Sequence, residues 1–562
     1  MRASVGQYLA SRLASIGIKE YFAVPGDYNL ILLDEILKNQ SLQMINCCNE
    51  LNASYAADGY ARINGVAACV VTFGVGGLSA INGIAGAYAE NLPVIIISGA
   101  PNTNSIQRRE DVHHTTGTTD HSYVRRVFKE VCATTQCIIS PDKAPLQIDY
   151  AIEKAITLSK PVYIDISCNI ANHPSKIISK RTFSKFITSD NTSKHQATEC
   201  ISEKINNAIK PVIIAGSGCR SEETGSLVEA LSSMSDIPIA IMPDAKGFIS
   251  EDHPNYMGLY WGPVSSENVC EIVESSDCYI FIGANINDYT TSGYRNNISK
   301  EYLININTNE CSLSDRYFTR ININEIISEL PNKIKKNNAA LEQFKRLNIF
   351  DNKAKINLKN ATEAPVTRQY VIESIQDNLT DDHLILVETG DAWFNGLELR
   401  LPKKARFEIQ MQYGSIGWSV GATLGAQIAL KDTKRVIALI GDGSFQMTAQ
   451  ELSTMIRYEV NPIIILMNNA SYGIEVQIHD GPYNEINDWK YAELVEVFRG
   501  KNERANSKLV KTEIEMRDAL EEAVKNNTLC LIEVQIDKDD CNKRLLQWGK
   551  YVSEYNSREP EQ

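Results

Sequence analysis

A glycine-flanked aspartate and a pair of asparagines follow two successive predicted strands of this 562-residue chain. Asp442 lies in Gly441-Asp442-Gly443-Ser444, between a strand and a helix, and Asn468-Asn469 ends the next strand. Because ligands of open α/β sheets bind at the carboxyl ends of the strands, Asp442 and Asn469 can converge there. Glycines let backbone N–H groups approach an anion, and carboxylate and amide oxygens suit Mg²⁺. The pattern predicts a site for Mg²⁺ and a phosphate-bearing ligand, although a Gly-Asp-Gly turn alone could be purely structural.

With one helix between the two motifs, this spacing resembles the signature of thiamine-diphosphate enzymes. The resemblance implies thiamine diphosphate and Mg²⁺ as cofactors, with the metal bound by Asp442, Asn469 and the Ser471 carbonyl. Residue 471 is usually glycine in close relatives, so we expect strain at Ser471 if the position requires a positive φ. Further residues that the resemblance places at the cofactor are Gly441, Gly443, Ser444, Tyr472, Gly473, Ile474 and Glu475.

Two other segments resemble the parts of this family that activate the cofactor. Glu50, in Cys47-Cys48-Asn49-Glu50, is predicted at a strand-to-helix junction, where the family places the glutamate that hydrogen-bonds the aminopyrimidine. A glutamate there could instead only complement the helix dipole. In Met411-Gln-Tyr-Gly414-Ser-Ile416-Gly-Trp, the resemblance implies that Ile416 bends the cofactor and that the Gly414 carbonyl accepts from its amine. Residues Thr389 and Asp391, in Glu388-Thr389-Gly390-Asp391, resemble a further cofactor-contacting loop.

A histidine doublet and two acidic residues could move protons near neutral pH. The doublet is His113-His114, in a chain with eight histidines, and the acids are Asp27, in Pro25-Gly26-Asp27-Tyr28-Asn29, and Glu475, in Tyr472-Gly-Ile-Glu475-Val. These stretches, with residues 478–483, are similar to pyruvate decarboxylases of the bacterial and plant type, and the similarity runs from residue 1 to about 558. It implies a proton relay of Asp27, His113, His114 and Glu475. Neighbouring Ile474 and Ile478 would then raise the pKa of Glu475.

The same resemblance implies non-oxidative decarboxylation of a 2-oxo acid through a cofactor ylide and an enamine. Three large residues match the walls of a pyruvate-type pocket: Tyr289, Trp393 and Trp548. Together with Ile474 and Ile478 they would leave room for little more than a methyl group, so we expect pyruvate as substrate and acetaldehyde and CO₂ as products. Each aromatic residue could also be ordinary core.

Three alternatives remain open from the sequence. The enzyme could decarboxylate indolepyruvate or phenylpyruvate, if the pocket is wider than expected. It could be a carboligase similar to acetohydroxyacid synthase, although ligation gains nothing from a nearby proton relay. It could also be an inactive homologue retained as a scaffold, although the candidate catalytic residues are intact.

Short β-branched segments alternate with helical patterns, which predicts an α/β fold of three doubly wound parallel-sheet domains. We expect a pyrimidine-binding domain at 1–185, a middle Rossmann-like domain at 198–340, a diphosphate- and Mg²⁺-binding domain at 360–540, and a closing segment at 541–562. A polar stretch, 179–197, is typical of a linker. The first and third domains share a layout of strand, glycine-rich turn, helix and strand, which indicates that they are related.

The composition limits the kinds of binding partner and the cellular compartment that we expect for this protein. The net charge is −13, with no basic stretch, which disfavours nucleic acid. Residues 1–13 lack the apolar core of a signal peptide, and the apolar stretches are too short to span a membrane. Thirteen scattered cysteines predict reduced thiols in the cytoplasm. Because the family takes Glu50 and the diphosphate motif from different subunits, we expect an obligate homodimer with shared active sites, assembled into a homotetramer, acting on a small-molecule 2-oxo acid.

Overall fold

The computed structural model describes residues 3–175, 183, 187–347, 358, 361–501 and 504–560. These residues form three α/β units, each built on one large sheet. The strands of the N-terminal unit are β1 (Ala3–Ser4), β2 (Glu20–Ala23), β3 (Gln43–Asn46), β4 (Ala67–Val71), β5 (Val94–Ala100), β6 (Thr135–Ile138), β7 (Val162–Ser167) and β8 (Pro174–Ser175). Its helices are α1 (Val5–Ser15), α2 (Leu30–Leu37), α3 (Glu50–Asn64), α4 (Val75–Ala89), α5 (Thr103–Arg108), α6 (Tyr123–Phe128) and α7 (Ala144–Leu158).

The middle unit carries a seven-stranded sheet that is parallel except at one edge. Its strands are β9 (Pro211–Ala215), β10 (Ile239–Ile241), β11 (Tyr256–Leu259), β12 (Cys278–Ile282), β13 (Leu303–Ile306), β14 (Glu310–Leu313) and β15 (Arg316–Thr319). Its helices are α8 (Asn191–Asn207), α9 (Glu222–Ser235), α10 (Val269–Glu274), α11 (Ile323–Glu329) and α12 (Ala339–Leu347). Strand β14 pairs antiparallel with both β13 and β15. The fully parallel sheet expected for this unit is therefore wrong at that edge.

The C-terminal unit carries the motifs with the strongest chemical signals. Its strands are β16 (His383–Val387), β17 (Arg406–Ile409), β18 (Arg435–Gly441), β19 (Ile463–Asn468), β20 (Ala505–Val510) and β21 (Leu529–Gln535). Its helices are α13 (Arg368–Asn378), α14 (Asp391–Glu398), α15 (Trp418–Leu430), α16 (Asp442–Thr448), α17 (Glu451–Arg457), α18 (Gly473–Ile478), α19 (Tyr491–Arg499), α20 (Glu513–Lys525) and α21 (Lys543–Asn556).

The N- and C-terminal units have the same sheet topology. Their strand orders are β3-β2-β4-β5-β7-β6 and β17-β16-β18-β19-β21-β20, and every pairing in both sheets is parallel. In each sheet the order reverses beside the first strand, which creates a crevice at the carboxyl ends of the strands, between β2 and β4 and between β16 and β18. The predicted kinship of the first and third units is therefore seen in their topology, and the α/β fold class is confirmed.

The predicted linker 179–197 is shorter than expected at its C-terminal end. Helix α8 begins at Asn191, capped by the Asp190 carboxylate, which accepts the N–H of Ser193. The polar composition reflects an exposed helix face, while Ala197 and Ile201 are buried in the core. Residues 179–182 and 184–186 lie outside the described residues, as do the predicted boundary positions 185 and 360, and the domain limits stay predictions.

Helices α3 and α15 join the N- and C-terminal units through glycines. A Cβ at Gly59 would lie 2.2 Å from the Ala422 carbonyl oxygen, and one at Gly425 would lie 1.8 Å from the Ala56 carbonyl oxygen. At the same crossing, buried Trp418 donates its indole N–H to Asp58 over 2.7 Å. The two backbones therefore touch, and no larger residue fits at either glycine without moving a helix.

At the C-terminus, α21 packs on the short helix α18, where a Cβ at Gly549 would lie 2.7 Å from the Gln477 carbonyl oxygen. Among the described helices, none combines the length and apolarity that crossing a membrane requires.

Candidate active site

Asp442 and the turn that carries Asn469 lie together at the carboxyl edge of the C-terminal sheet. Strands β18 and β19 are parallel neighbours, and the Ala470 N–H donates to Asp442 Oδ2 over 2.6 Å. The second carboxylate oxygen accepts the N–H of Gly443 over 2.8 Å. Asp442 is 1% exposed, and burial raises its pKa to about 6 despite these backbone donors. A buried carboxylate held by neutral donors fits a cation, which would supply the opposing charge.

The turn after β19 carries its strain one residue before Ser471. Ala470 has φ of 53°, whereas Ser471 is not among the described residues with positive φ. Ser471 bridges Glu485 in antiparallel fashion, and its N–H donates to Asn469 Oδ1 over 3.3 Å. The strain expected at Ser471 is therefore absent, and serine can present its carbonyl there as glycine would.

The turn 441–444, which contains Asp442, packs directly against the turn that follows Asn469. A Cβ at Gly443 would lie 2.4 Å from Tyr472 Cε1, and one at Gly473 would lie 3.2 Å from Asn469 Nδ2. By contrast, a Cβ at Gly441 would meet nothing within 4 Å, and neighbouring Ser444 is buried in the first turn of α16. Two helices follow this turn: α16, which begins at Asp442 itself, and α17.

The loop after β16 presents polar atoms that lack a partner within the part of the chain that the structure describes. Among the described residues, the buried atoms Thr389 Oγ1 and Asp391 Oδ1 have no hydrogen-bond partner. Burial raises the pKa of Asp391 to about 6, and its other oxygen accepts from Asn395 over 2.6 Å. A Cβ at Gly390 would lie 3.6 Å from Ile474, so this loop lies beside α18. Unsatisfied buried polar atoms at this edge fit a polar ligand such as the predicted cofactor.

The loop after β17 carries Gly414 and Ile416, and Gly414 lies beside aromatic residues of the predicted pocket. Gly414 has φ of 61°, and a Cβ there would lie 3.9 Å from both Trp393 and Tyr289. A hydrogen bond joins the N-terminal unit to this loop, since Tyr55 Oη lies 2.5 Å from Ser415 Oγ. Ile416 is half-buried. The Gly414 backbone, two residues before the predicted wedge, is thus a neighbour of two predicted pocket walls.

Tyr289, Trp393 and Trp548 form one aromatic cluster. The Tyr289 ring meets both tryptophans edge to face, with centroids 5.9 Å from Trp393 and 5.1 Å from Trp548. Both tryptophans are fully buried, and the Tyr289 carbonyl accepts the indole N–H groups of Trp548, at 3.2 Å, and Trp261, at 2.6 Å. Sequence reasoning missed Trp261, whose only signal was its rarity among five tryptophans. Ile478, the last predicted pocket residue, is half-buried in α18.

Asp27, His113 and His114 converge on the N-terminal sheet. His113 Nε2 lies 2.5 Å from Asp27 Oδ2, and His114 Nε2 lies 3.4 Å from Asp27 Oδ1. Tyr28, which sequence reasoning missed, stacks on the His113 ring with centroids 4.8 Å apart. A Cβ at Gly74 would lie 1.8 Å from the His114 carbonyl oxygen, so the histidine loop rests on the turn after β4.

Glu50 lies at the same edge of the N-terminal sheet. It is the first residue of α3, behind an Asn49 side chain that accepts the N–H of Asn52 over 2.8 Å. A Cβ at Gly76 would lie 3.2 Å from Glu50 Oε1, so the carboxylate lies over the start of α4. The predicted strand-to-helix junction is confirmed.

The predicted relay is divided between the two sheets. Asp27, His113 and His114 belong to the N-terminal edge, whereas Glu475 lies in α18, near Tyr289, whose pKa is raised by burial and by the Glu475 charge. Side chains of Asp27 and His113 are 47% and 61% exposed, and Glu475 is also exposed. The described contacts of a single chain do not join the two groups, and Glu475 is exposed here rather than enclosed by Ile474 and Ile478 as expected.

Comparison with known proteins assigns all three units. The thiamine pyrophosphate enzyme N-terminal TPP binding domain matches residues 3–124, the central domain 198–330 and the C-terminal TPP binding domain 391–534. Pyruvate decarboxylase 2 of Oryza sativa subsp. indica and pyruvate decarboxylase 3 of Arabidopsis thaliana are each 44% identical, over 99% of this chain and 92% and 95% of their own lengths. Pyruvate decarboxylase 1 of Zea mays is 43% identical, over 99% of this chain and 92% of its own. The chain therefore belongs to the thiamine pyrophosphate enzymes, among the pyruvate decarboxylases.

This membership confirms the resemblance found in the sequence. It gives thiamine diphosphate as the cofactor, with Mg²⁺ as its usual partner in the family. The unpartnered polar atoms of Thr389 and Asp391 and the buried Asp442 carboxylate fit that assignment.

Proposed function

We propose that this protein decarboxylates pyruvate to acetaldehyde and CO₂ with thiamine diphosphate and Mg²⁺. The observation that carries the proposal is the Asp27–His113–His114 cluster in a thiamine pyrophosphate enzyme. A decarboxylase must deliver a proton to the carbon that loses CO₂, whereas a carboligase must keep protons from it. Histidines within hydrogen-bond reach of a carboxylate are suited to that delivery near neutral pH.

Metal and diphosphate are held at the C-terminal edge. Asp442, Asn469 and the Ser471 carbonyl would hold Mg²⁺, and the turn 441–444 would offer backbone N–H groups to the phosphate groups. The Thr389 hydroxyl supplies a further donor. Tyr472 and Gly473 lie against these turns, which supports their assignment to the same site.

Substrate chemistry is divided between cofactor and protein. Thiamine diphosphate, when bound, would supply a nucleophilic carbon and an electron sink for decarboxylation. Ile416 and the Gly414 carbonyl would orient the aminopyrimidine, and Glu50 would hold a proton for its ring nitrogen. Asp27, His113 and His114 deliver the proton that becomes the aldehyde hydrogen, while Glu475 faces the carboxyl group that leaves.

The division of these residues between two exposed edges supports a homodimer in which each site takes one edge from each subunit. Exposed acids and histidines of the N-terminal edge would be covered by the C-terminal edge of the partner, which also brings Glu475 to the relay. Dimers of this kind pair into a tetramer in our proposal, and the scattered free cysteines favour the cytoplasm.

Product analysis tests the proposed reaction. The purified protein, incubated with pyruvate, Mg²⁺ and thiamine diphosphate, should release acetaldehyde and CO₂ in equal amounts, and omission of either cofactor should abolish release. Acetolactate as the main product would instead identify a carboligase. Absence of turnover with any 2-oxo acid, despite cofactor binding, would identify an inactive homologue.

In this proposal the aromatic cluster limits the size of the substrate that the pocket accepts, and Trp548→Ala should widen the pocket. Removing this buried ring leaves a cavity behind Tyr289, which Trp261 still anchors by its indole N–H. The ratio of kcat/KM for phenylpyruvate over pyruvate should rise by roughly 10–200-fold, the range for one apolar contact. Trp489→Ala, at a half-buried tryptophan outside this cluster, should leave the ratio unchanged. An unchanged ratio in Trp548→Ala would remove Trp548 from the pocket, and a wild-type preference for phenylpyruvate would overturn the choice of pyruvate.

A further inference from the structure

Glu388 is a fully buried carboxylate between two loops of the proposed site. It follows β16 directly and accepts four hydrogen bonds. Its donors are the Thr389 N–H at 2.8 Å, the Gly417 N–H at 3.3 Å, and the N–H and hydroxyl of Ser419 at 2.9 and 2.5 Å. All of these donors are neutral.

These donors belong to two separate segments. Thr389 begins the loop that carries the unpartnered polar atoms, whereas Gly417 and Ser419 immediately follow Ile416, the proposed wedge. Gly417 is the N-cap of α15, with φ of 92°, and has no capping side chain of its own. Glu388 therefore supplies from another segment the acceptor that an N-cap side chain normally provides.

The negative charge of the Glu388 carboxylate allows this one side chain to bind both segments. A carboxylate has two acceptor oxygens and is favoured at the N-terminus of a helix, where the N–H dipoles point at it. Burial raises the pKa of Glu388, and the hydrogen bonds from Ser419, Thr389 and Gly417 oppose that effect. A glutamine of the same length has one acceptor oxygen, and its NH₂ group would face N–H donors.

Other hydrogen bonds hold the residues on either side of Ile416 in place. The Ser415 N–H donates to Gln410 Oε1 over 2.8 Å, and Thr448 Oγ1 donates to the Gly417 carbonyl over 2.7 Å. Glu388 links Thr389 to the residues that follow Ile416, because it accepts hydrogen bonds from both segments.

We propose that Glu388 is a positioning residue, which acts through Gly417, Ser419 and Thr389 to hold Ile416 and the Gly414 carbonyl in register with the diphosphate side of the site. The inference rests on the proposed function, because it assigns Glu388 to the geometry that bends the cofactor. Glu388 itself does not contact the reacting atoms in this proposal.

Glu388→Gln tests the proposal through two measurements that do not require pyruvate. Backbone amide exchange of residues 412–420 in the cofactor-free protein should accelerate by about tenfold or more, as expected for lost bonds to a charged acceptor. Exchange of the C2 proton of bound thiamine diphosphate should slow by at least about tenfold, the factor that small misplacement costs. KM for pyruvate should change less than kcat.

Three further variants make the result decisive. Glu388→Asp, which keeps the charge, should recover part of the C2 exchange rate. Ser419→Ala removes one donor, and its smaller effect in the same direction provides the test if Glu388→Gln does not fold. Asp165→Asn, at another buried carboxylate, which pairs with Arg125 over 2.9 Å in the N-terminal unit, should alter neither exchange rate.

A lower melting temperature with wild-type C2 exchange in folded Glu388→Gln would show a purely structural role and overturn the proposal. Wild-type protein that exchanges the C2 proton but releases no acetaldehyde would refute the proposed reaction, while the comparison of variants would still decide the role of Glu388.

Discussion

Glu50→Gln should slow exchange of the C2 proton of bound thiamine diphosphate by roughly 10²–10⁴-fold, the usual contribution of a positioned acid or base. The glutamine side chain of this variant can still hydrogen-bond the aminopyrimidine, but it cannot share a proton with the ring nitrogen. Binding of the cofactor should change little, because the metal and diphosphate contacts lie on the other sheet. The measurement is quenched-flow exchange in deuterated water followed by NMR.

The control for Glu50→Gln separates catalysis from helix stabilisation. Glu222 is also an acid in the first turn of a helix, α9 of the middle unit, and Glu222→Gln removes the same favourable dipole contact. We expect wild-type C2 exchange in that control. Wild-type exchange in Glu50→Gln as well would place the activating acid elsewhere in the protein.

Asp442→Ala should weaken Mg²⁺-dependent retention of thiamine diphosphate by roughly 100-fold or more, since even residues that only support metal ligands contribute 10–100-fold. The fold should persist, because a buried carboxylate without a cation is itself unfavourable above its pKa of about 6. Titration followed by tryptophan fluorescence gives the affinity, and far-UV circular dichroism reports the fold.

Asp488→Asn is the matched control for Asp442→Ala, because Asp488 accepts a hydrogen bond from Asn468, next to the proposed ligand Asn469, over 3.0 Å. Asp488→Asn should leave the cofactor affinity within a few-fold of the wild-type affinity. Equal affinities in wild type and Asp442→Ala would remove Asp442 from the metal site.

Sequence patterns predicted the parallel sheets and the placement of Asp442 beside the turn that carries Asn469 because both follow from local order. A buried strand, a glycine turn and a helix fix where the carboxyl end of each strand lies. The pattern failed at residues 191–197, since a helix with one exposed face can be as polar as a linker. It also failed to anticipate the strand pair β14–β15, which folds back antiparallel at the edge of the middle sheet.

Tertiary contacts explain what the sequence could not predict in the site. Glu388 was recognised only as part of a loop, because its partners Gly417 and Ser419 are about 30 residues away and come into reach only when α15 docks. The φ of Ala470, rather than Ser471, likewise depends on how the turn meets Glu485. Burial of Trp548 behind Tyr289 required the packing of α21 to be known.

The glycine contacts between α3 and α15 have a mechanical consequence. With backbones in direct contact, the N- and C-terminal units of one chain can neither slide nor separate without losing the crossing, so they behave as a single stiff block. Glu50 and Asp442 of the same chain are carried on that block, so we expect their separation to change little during turnover. Any opening that admits substrate or releases product should then come from smaller parts such as α21, which rests on the helix carrying Glu475, or, in the homodimer that we propose, from motion between the blocks of different subunits.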